Sequence, residues 1–166
     1  MTLPFETAWI SPKSSNRRSF IGGSDARIIM GSDEAALIRL WREKRGEAEP
    51  EDLSSNLIVQ LGKATEELNA CWYERNTGHR VIDRQRLIKH SAISFMAATL
   101  DGVVEGIGAI FEAKFMLPWS FSDEAAVEKH MAQVQHNMWV THLRTSVARS
   151  SPARRAHASR SSASST

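Results

Sequence analysis

Apolar side chains recur at helical spacing in three stretches of this chain and alternate with polar ones in between, which predicts the order helix, helix, strands, helix. Residues 1–16 carry Pro4, Pro12 and a polar Ser-Pro-Lys-Ser-Ser-Asn run, and read as irregular. Phe20-Ile21-Gly22-Gly23-Ser24-Asp25 reads as a glycine turn entering a short helix, with Ser24 or Asp25 as its cap. A second helix is predicted over 34–45, with Leu37, Leu40, Trp41 and Lys44 along one side and Gly46 ending it. Residues 47–53 form an acidic loop containing proline. The longest helix is predicted over 56–77, closed by Gly78. Leu57, Leu61, Ala64, Leu68, Cys71 and Trp72 are expected to be its buried stripe. Gly62, Glu66, Asn69 and Tyr73 lie about a hundred degrees round from that stripe, which sets Glu66 at its edge.

Strands are predicted over 80–88, 93–100 and 108–116, with Asp101-Gly102 starting the turn between the last two. A final helix should begin after Ser122 and reach about Thr141, with Val127, Met131, Val134 and Met138 as its core face. The pattern implies one α/β or α+β domain without internal repeats.

Beyond Thr141 the character changes. Residues 146–166 hold eight serines and four arginines, with Val147 the only large aliphatic side chain. So little apolar surface cannot offset the entropy of ordering, so the stretch is expected to be disordered and to make no stable contact with the domain. It also distorts the charge balance. The formal net charge is +2, yet residues 142–166 contain five arginines and no acid. Setting those aside leaves 16 basic residues against 19 acidic ones, so a surface for nucleic acid must come from local clusters. Arg17 and Arg18 beside Lys13 form one, and Arg80, Arg84 and Arg86 another.

At 166 residues with 42% hydrophobic content, the chain can bury a real core. No apolar run is long enough to cross a membrane, and the N-terminus lacks an apolar signal core. The only cysteine, Cys71, excludes an intrachain disulfide, a zinc ribbon and an iron–sulfur cluster, and suits a reducing cytoplasm.

The candidate chemistry lies in Asp101 and in Glu112-Ala113-Lys114. Alternate residues of a strand share a face, so Glu112 and Lys114 point one way while Phe111, Ala113 and Phe115 point into an apolar layer. Asp101 beside this strand brings a second carboxylate near Glu112. Carboxylate oxygens suit Mg²⁺, and a lysine can hold or deprotonate an attacking water; together they suit phosphodiester hydrolysis. Alone, a Glu-x-Lys triplet is more often a surface ion pair. Histidines 79, 90, 130, 136 and 142 show no metal-ligand spacing, and His130 and His136 are expected on the helix surface.

Five segments in order resemble the phage lambda-type exonuclease family (YqaJ-type viral recombinases) of the PD-(D/E)xK nuclease superfamily. They are Ile21-Gly22-Gly23-Ser24-Asp25-Ala26, Leu61-Gly62-Lys63-Ala64-Thr65-Glu66, Thr99-Leu100-Asp101-Gly102, Phe111-Glu112-Ala113-Lys114, and Ala132-Gln133-Val134-Gln135 with Met138-Trp139-Val140-Thr141. Leu100 departs from the family's proline, and Thr99 replaces its serine. The resemblance implies an α/β, restriction-endonuclease-like core over residues 17–143. Its central mixed sheet would be flanked by helices, and the chain would be truncated C-terminally, with 144–166 a disordered Ser/Arg-rich tail.

By the same resemblance, Asp101, Glu112 and the Ala113 carbonyl would hold Mg²⁺, with Mn²⁺ able to substitute. Lys114 would activate water, Glu66 would add a carboxylate, and Gln133 would orient the lysine or the water. Arg17 and Ser24, with Thr99, would hold a DNA 5′-phosphate. The implied function is a 5′→3′ exonuclease on double-stranded DNA ends in phage-type recombination. The implied partners are a single-strand annealing protein and two further copies of the chain in a ring. The alternatives are an inactive truncated remnant that binds DNA ends, and a structure-specific endonuclease on the same fold.

Overall fold

The computed structural model describes residues 17–115 and 123–151, the side chains of 123–129 and 150–151 excepted. The reading of residues 1–16 as irregular, the placement of Val127 and the reading of 152–166 as disordered fall outside what it describes. A 3-10 turn at Arg17–Ser19 leads into α1 (Gly23–Ile29) and α2 (Glu34–Arg45), followed by α3 (Leu57–Thr77). Next come β1 (Val81–Ile82), β2 (Arg86–Lys89), β3 (Ala97–Leu100), β4 (Gly102–Val104) and β5 (Ala109–Phe115). The last elements among the described residues are α4 (Asp123–Thr141) and β6 (Ser146–Ser151). The main sheet has the order β1-β4-β5-β6, and β2 and β3 form a separate antiparallel pair. Because β6 runs parallel to β5 while the other pairs are antiparallel, the main sheet is mixed, as expected.

Helix boundaries follow local chemistry. The Asp33 side chain accepts from Ala36 N at α2's start, and Gly46 closes that helix in the left-handed region. Asn56 caps α3 through Ile58 N and Val59 N, and Gly78 ends it at φ 75°. The start of α1 differs from expectation. Gly22 occupies the cap position, and Asp25, three residues on, accepts from Gly22 N at 2.9 Å, while Ser24 faces outward.

The strand region is more broken than alternation suggested. Residues 80–88 divide into β1 and β2 because Asp83 and Gln85 take positive φ, turning the chain between the two sheets. Asp101 does not start a hairpin. It sits at the bend where the chain passes from β3 into β4, and the tight turn falls at 105–108, where Gly106 and Gly108 supply positive φ. Gly102 is required for another reason: a Cβ there would lie 2.3 Å from Val81 Cγ1 on the neighbouring strand.

Both long helices turn a different face inward from the one predicted. On α3, Leu57 (70% exposed), Leu68 (61%) and Trp72 face outward, while Asn69 and Ala70 are buried. Small residues explain this: Gly62 and Ala70 let the helix lie close over β5, where Tyr73 meets Phe111 with ring centroids 5.4 Å apart. On α4, Met131 is exposed and Val134 half-buried; of the predicted face Met138 does pack against the core cluster beside the buried Val140, and His136, Asn137 and Thr141 are buried as well. Beside apolar Val140, the inward face carries polar side chains because they meet polar partners, namely Glu112 and the Ala97 carbonyl, to which His136 Nε2 bonds at 2.9 Å. His136 is thus a core residue and not a surface one.

The largest departure is at the C-terminal end. Residues 146–151, expected to be disordered, form β6 and pair with β5 from Ile110↔Ser146 to Phe115↔Ser151. Backbone pairing, not side-chain burial, recruits this polar segment. Val147 still packs beside Ala70, Phe111 and Ala113, and the Arg149 guanidinium stacks 3.2 Å from the Trp72 ring centroid.

Candidate active site

Glu112 is the centre of the site. It is 2% exposed and near the middle of β5, a strand that lies between β4 and β6. A buried carboxylate must be compensated, and three donors converge on it. Lys114 Nζ donates to its Oε1 at 2.5 Å and Gln133 Nε2 to the same oxygen at 2.6 Å. Asn137 Nδ2 donates to Oε2 at 3.3 Å. Lys114 Nζ also reaches Gln133 Oε1 at 3.3 Å, which closes a small network between strand and helix. The alternation of β5 places Glu112 and Lys114 on the face turned to α4, while Phe111 and Ala113 join the core under α3.

Asp101 is tied to the same strand through the backbone: the Ala113 amide donates to its Oδ2 at 2.8 Å. Burial, and then the neighbouring Glu112 charge, push its carboxyl up to about 7. Glu66, on α3, is also raised, first by burial and then by the Glu112 charge, against the pull of Lys114 and Lys63. The Gln85 side chain steadies it at 2.7 Å. Three carboxylates therefore feel one another around one lysine.

The raised Asp101 has a measurable consequence. In the metal-free protein the folded state holds a proton that the unfolded chain loses near its ordinary value of 3.8. Its contribution to stability is complete below about pH 4 and is lost as pH rises to about 7. The melting temperature should fall over that window, by the equivalent of a few kcal/mol at most, and Asp101→Asn should flatten the decline. A flat profile in the unmutated chain would contradict the coupling.

Arg17 and Ser24 of the second predicted group also come together, one step away, while Thr99 pairs with Leu87 between β3 and β2 and does not line their cleft. Arg17 donates to Ser24 Oγ at 3.0 Å and lies 3.8 Å from Asp25. Lys44, read from sequence only as part of a helix face, organises this corner. Its ammonium donates to Arg17 O, Phe20 O and Asp25 Oδ2 at 2.6–2.7 Å. A cleft of about 430 Å³ opens here, lined by the cations Arg17, Arg18, Arg27, Arg39 and Lys44, the acids Asp25, Glu43 and Glu51, and Ser24 among others. It touches the carboxylate site through Gly23, the residue before Ser24, which packs against Gln133 and Asn137. Thr99 stands exposed on β3, two residues beyond Ala97, whose amide donates to Ile21 O. Gln135, in the same predicted motif as Gln133, is exposed on the other side of α4.

Sequence reading missed Asn137, Lys44 and Gln85. Asn137 was accessible in principle, since it follows Gln133 by one helical turn and so shares its face. Lys44 and Gln85 act across long sequence separations and carried no local signal.

Among the described residues no three carboxylate, imidazole or thiol side chains converge as a metal cage. Two carboxylates and a neighbouring backbone carbonyl are nonetheless a donor set of the kind Mg²⁺ uses, since it retains waters and substrate oxygens in its remaining positions. An Asp101 carboxyl raised by burial and then by the Glu112 charge is what a site short of positive charge should show, so these residues fit a divalent cation.

The profile of the YqaJ-like viral recombinase domain matches residues 14–144. The uncharacterized protein YqaJ of Bacillus subtilis (strain 168) is 31% identical over 128 residues, covering 75% of this chain. The chain spans only 40% of that relative's length. Among solved structures, the alkaline exonuclease LHK-Exo from Laribacter hongkongensis superposes with a TM-score of 0.63 at 19% identity, over 83% of this chain and 73% of the other. LHK-Exo in complex with dAMP gives 0.62 at 21% identity, over 81% and 70% of the two chains. The α/β architecture with its mixed sheet is therefore the alkaline exonuclease fold.

Proposed function

Because the chain belongs to the YqaJ-like viral recombinase domain family, we propose that it is the catalytic part of a Mg²⁺-dependent exonuclease acting on double-stranded DNA ends in the 5′→3′ direction. The observation that carries this reading is the bonded set Glu112–Lys114–Gln133, with Asp101 joined to it through the Ala113 amide. Asp101, Glu112 and the Ala113 carbonyl would hold the metal, with Mn²⁺ able to substitute. The bound cation would neutralise phosphate charge and stabilise the departing oxygen.

The chain's own residues do the rest. Glu112 fixes the Lys114 ammonium where it can hold a water against the phosphorus and meet the negative charge that grows there. Gln133 restrains both partners, so the lysine waits in one position instead of sampling its rotamers. Glu66, half-buried with a raised pKa, is suited to take up a proton at the site's edge. The Arg17–Ser24 pair, in a cleft where five cations outnumber three acids, suits a terminal 5′-phosphate. An exposed 3′ strand for a single-strand annealing protein, and a ring of three chains, extend the same proposal to the whole protein.

End-labelled duplexes test it. Linear DNA should lose nucleotides only with Mg²⁺, and a closed circle should resist. A 5′-phosphorylated end should be degraded faster than a 5′-hydroxyl end by on the order of 10- to 100-fold, the worth of a charge-assisted bond. Arg17→Ala should erase most of that difference. Equal rates on both ends would remove the phosphate pocket, and cutting of the closed circle would replace the exonuclease by an endonuclease.

A further inference from the structure

We propose that Asn137 is a positioning residue for Glu112, and that Gly23 is glycine because the Asn137 side chain fills the space a Cβ would need. The proposal rests on the nuclease reading of Glu112 and adds two residues that this reading does not use.

Lys114 and Gln133 both grip Oε1 of Glu112. The terminal torsion of a glutamate is soft, so a carboxylate held by one oxygen can still swing its second oxygen. Asn137 is the group bonded to that second oxygen. Its side chain is fully buried one helical turn beyond Gln133, so α4 clamps both oxygens from one face.

The orientation of the amide follows from charge. Turned the other way, Asn137 would set its carbonyl oxygen against an anionic carboxylate. With Nδ2 on Glu112, Oδ1 points back towards α1, where it is buried and has no hydrogen-bond partner among the described residues. A buried acceptor without a partner is unfavourable, and persists only where the same side chain makes a stronger contact elsewhere. At Gly23 a Cβ would lie 2.5 Å from Oδ1 and 2.9 Å from Gln133 Cγ. Any side chain on the first residue of α1 would therefore push on two of the three donors that hold Glu112.

The test uses the full chain with Asn137→Ala, Asn137→Ser, Gly23→Ala and the double variant Gly23→Ala/Asn137→Ser. Three quantities are read: kcat and KM on linear duplex DNA, the rise in melting temperature that a fixed Ca²⁺ concentration produces without DNA, and the metal-free melting temperature. Asn137→Ala should lower kcat about tenfold and shrink the rise in melting temperature at the fixed Ca²⁺ concentration, with KM for DNA unchanged. Gly23→Ala should lose at least as much kcat and should also lower the melting temperature. Placing Asn137→Ser in the Gly23→Ala background should restore both to the level of Asn137→Ser alone, because the shorter side chain vacates the space.

Wild-type kcat and Ca²⁺ response in Asn137→Ala would overturn the positioning role. Losses in the double variant equal to the product of the two single ones would overturn the lock. A wild-type chain that neither cleaves DNA nor responds to Ca²⁺ would defeat the nuclease reading, and the lock would then stand or fall on rescue of the Gly23→Ala melting temperature.

Discussion

Glu112→Gln is expected to remove Mg²⁺-dependent cleavage, by on the order of a thousandfold or more, while the chain still folds. Two losses combine. The charge that would help hold the metal and anchor Lys114 disappears, and removing one preorganised electrostatic contact at a reacting phosphate or carbonyl typically costs about 10²–10³-fold. The amide must also put an N–H₂ group where only acceptors are served, since Lys114, Gln133 and Asn137 all donate to this side chain. One donor is then left facing a donor, a further cost of about 1–3 kcal/mol in a buried site. The shape of the side chain is kept and the apolar face of β5 is untouched, so circular dichroism should show native helix and strand with a modestly lower melting temperature. Single-turnover cleavage of an end-labelled duplex measures the first effect and thermal melting the second. Wild-type-like cleavage would sink the proposed site.

Much of this site was legible in the sequence because its chemistry depends on short spacings. The i, i+2 relation of Glu112 and Lys114 fixes their common face on any strand, and Asp101 lies eleven and thirteen residues before them. The helix limits were legible too, since Gly46, Gly78 and the cap at Asn56 act locally. What the sequence hid was which helical face turns inward. Hydrophobic periodicity points to the leucine stripe of α3, yet that stripe lies outside, because close approach to β5 depends on Gly62 and Ala70. On α4 the same rule fails for the opposite reason: the inward face is polar so that it can satisfy Glu112. A helix that serves a buried charge looks in sequence like a helix facing water. Asn137 and His136 were misplaced or overlooked on that account.

The C-terminal strand was hidden most completely, and its removal should have the largest effect on stability. A chain ending at Thr145 is compared with one ending at Ser151, so that only the six residues of β6 differ. Composition argues that their loss is harmless, since Ser-Val-Ala-Arg-Ser-Ser offers one aliphatic side chain. The register argues otherwise. β6 covers β5 from Ile110 to Phe115, the stretch that carries Glu112 and Lys114, and without it β5 becomes an edge strand. The backbone groups of β5 that face β6 would have to find water beside the buried Phe111 and Glu112, each lost bond being worth about 1 kcal/mol. Val147 would leave the cluster under α3, and Arg149 would leave the Trp72 ring. Together these amount to several kcal/mol, a large part of the roughly 5–15 kcal/mol that holds a domain of this kind together. The shorter chain should melt far below the longer one or fail to fold, and its nuclease activity should go with its structure. Equal melting temperatures for the two chains would mean that β6 adds nothing to the sheet.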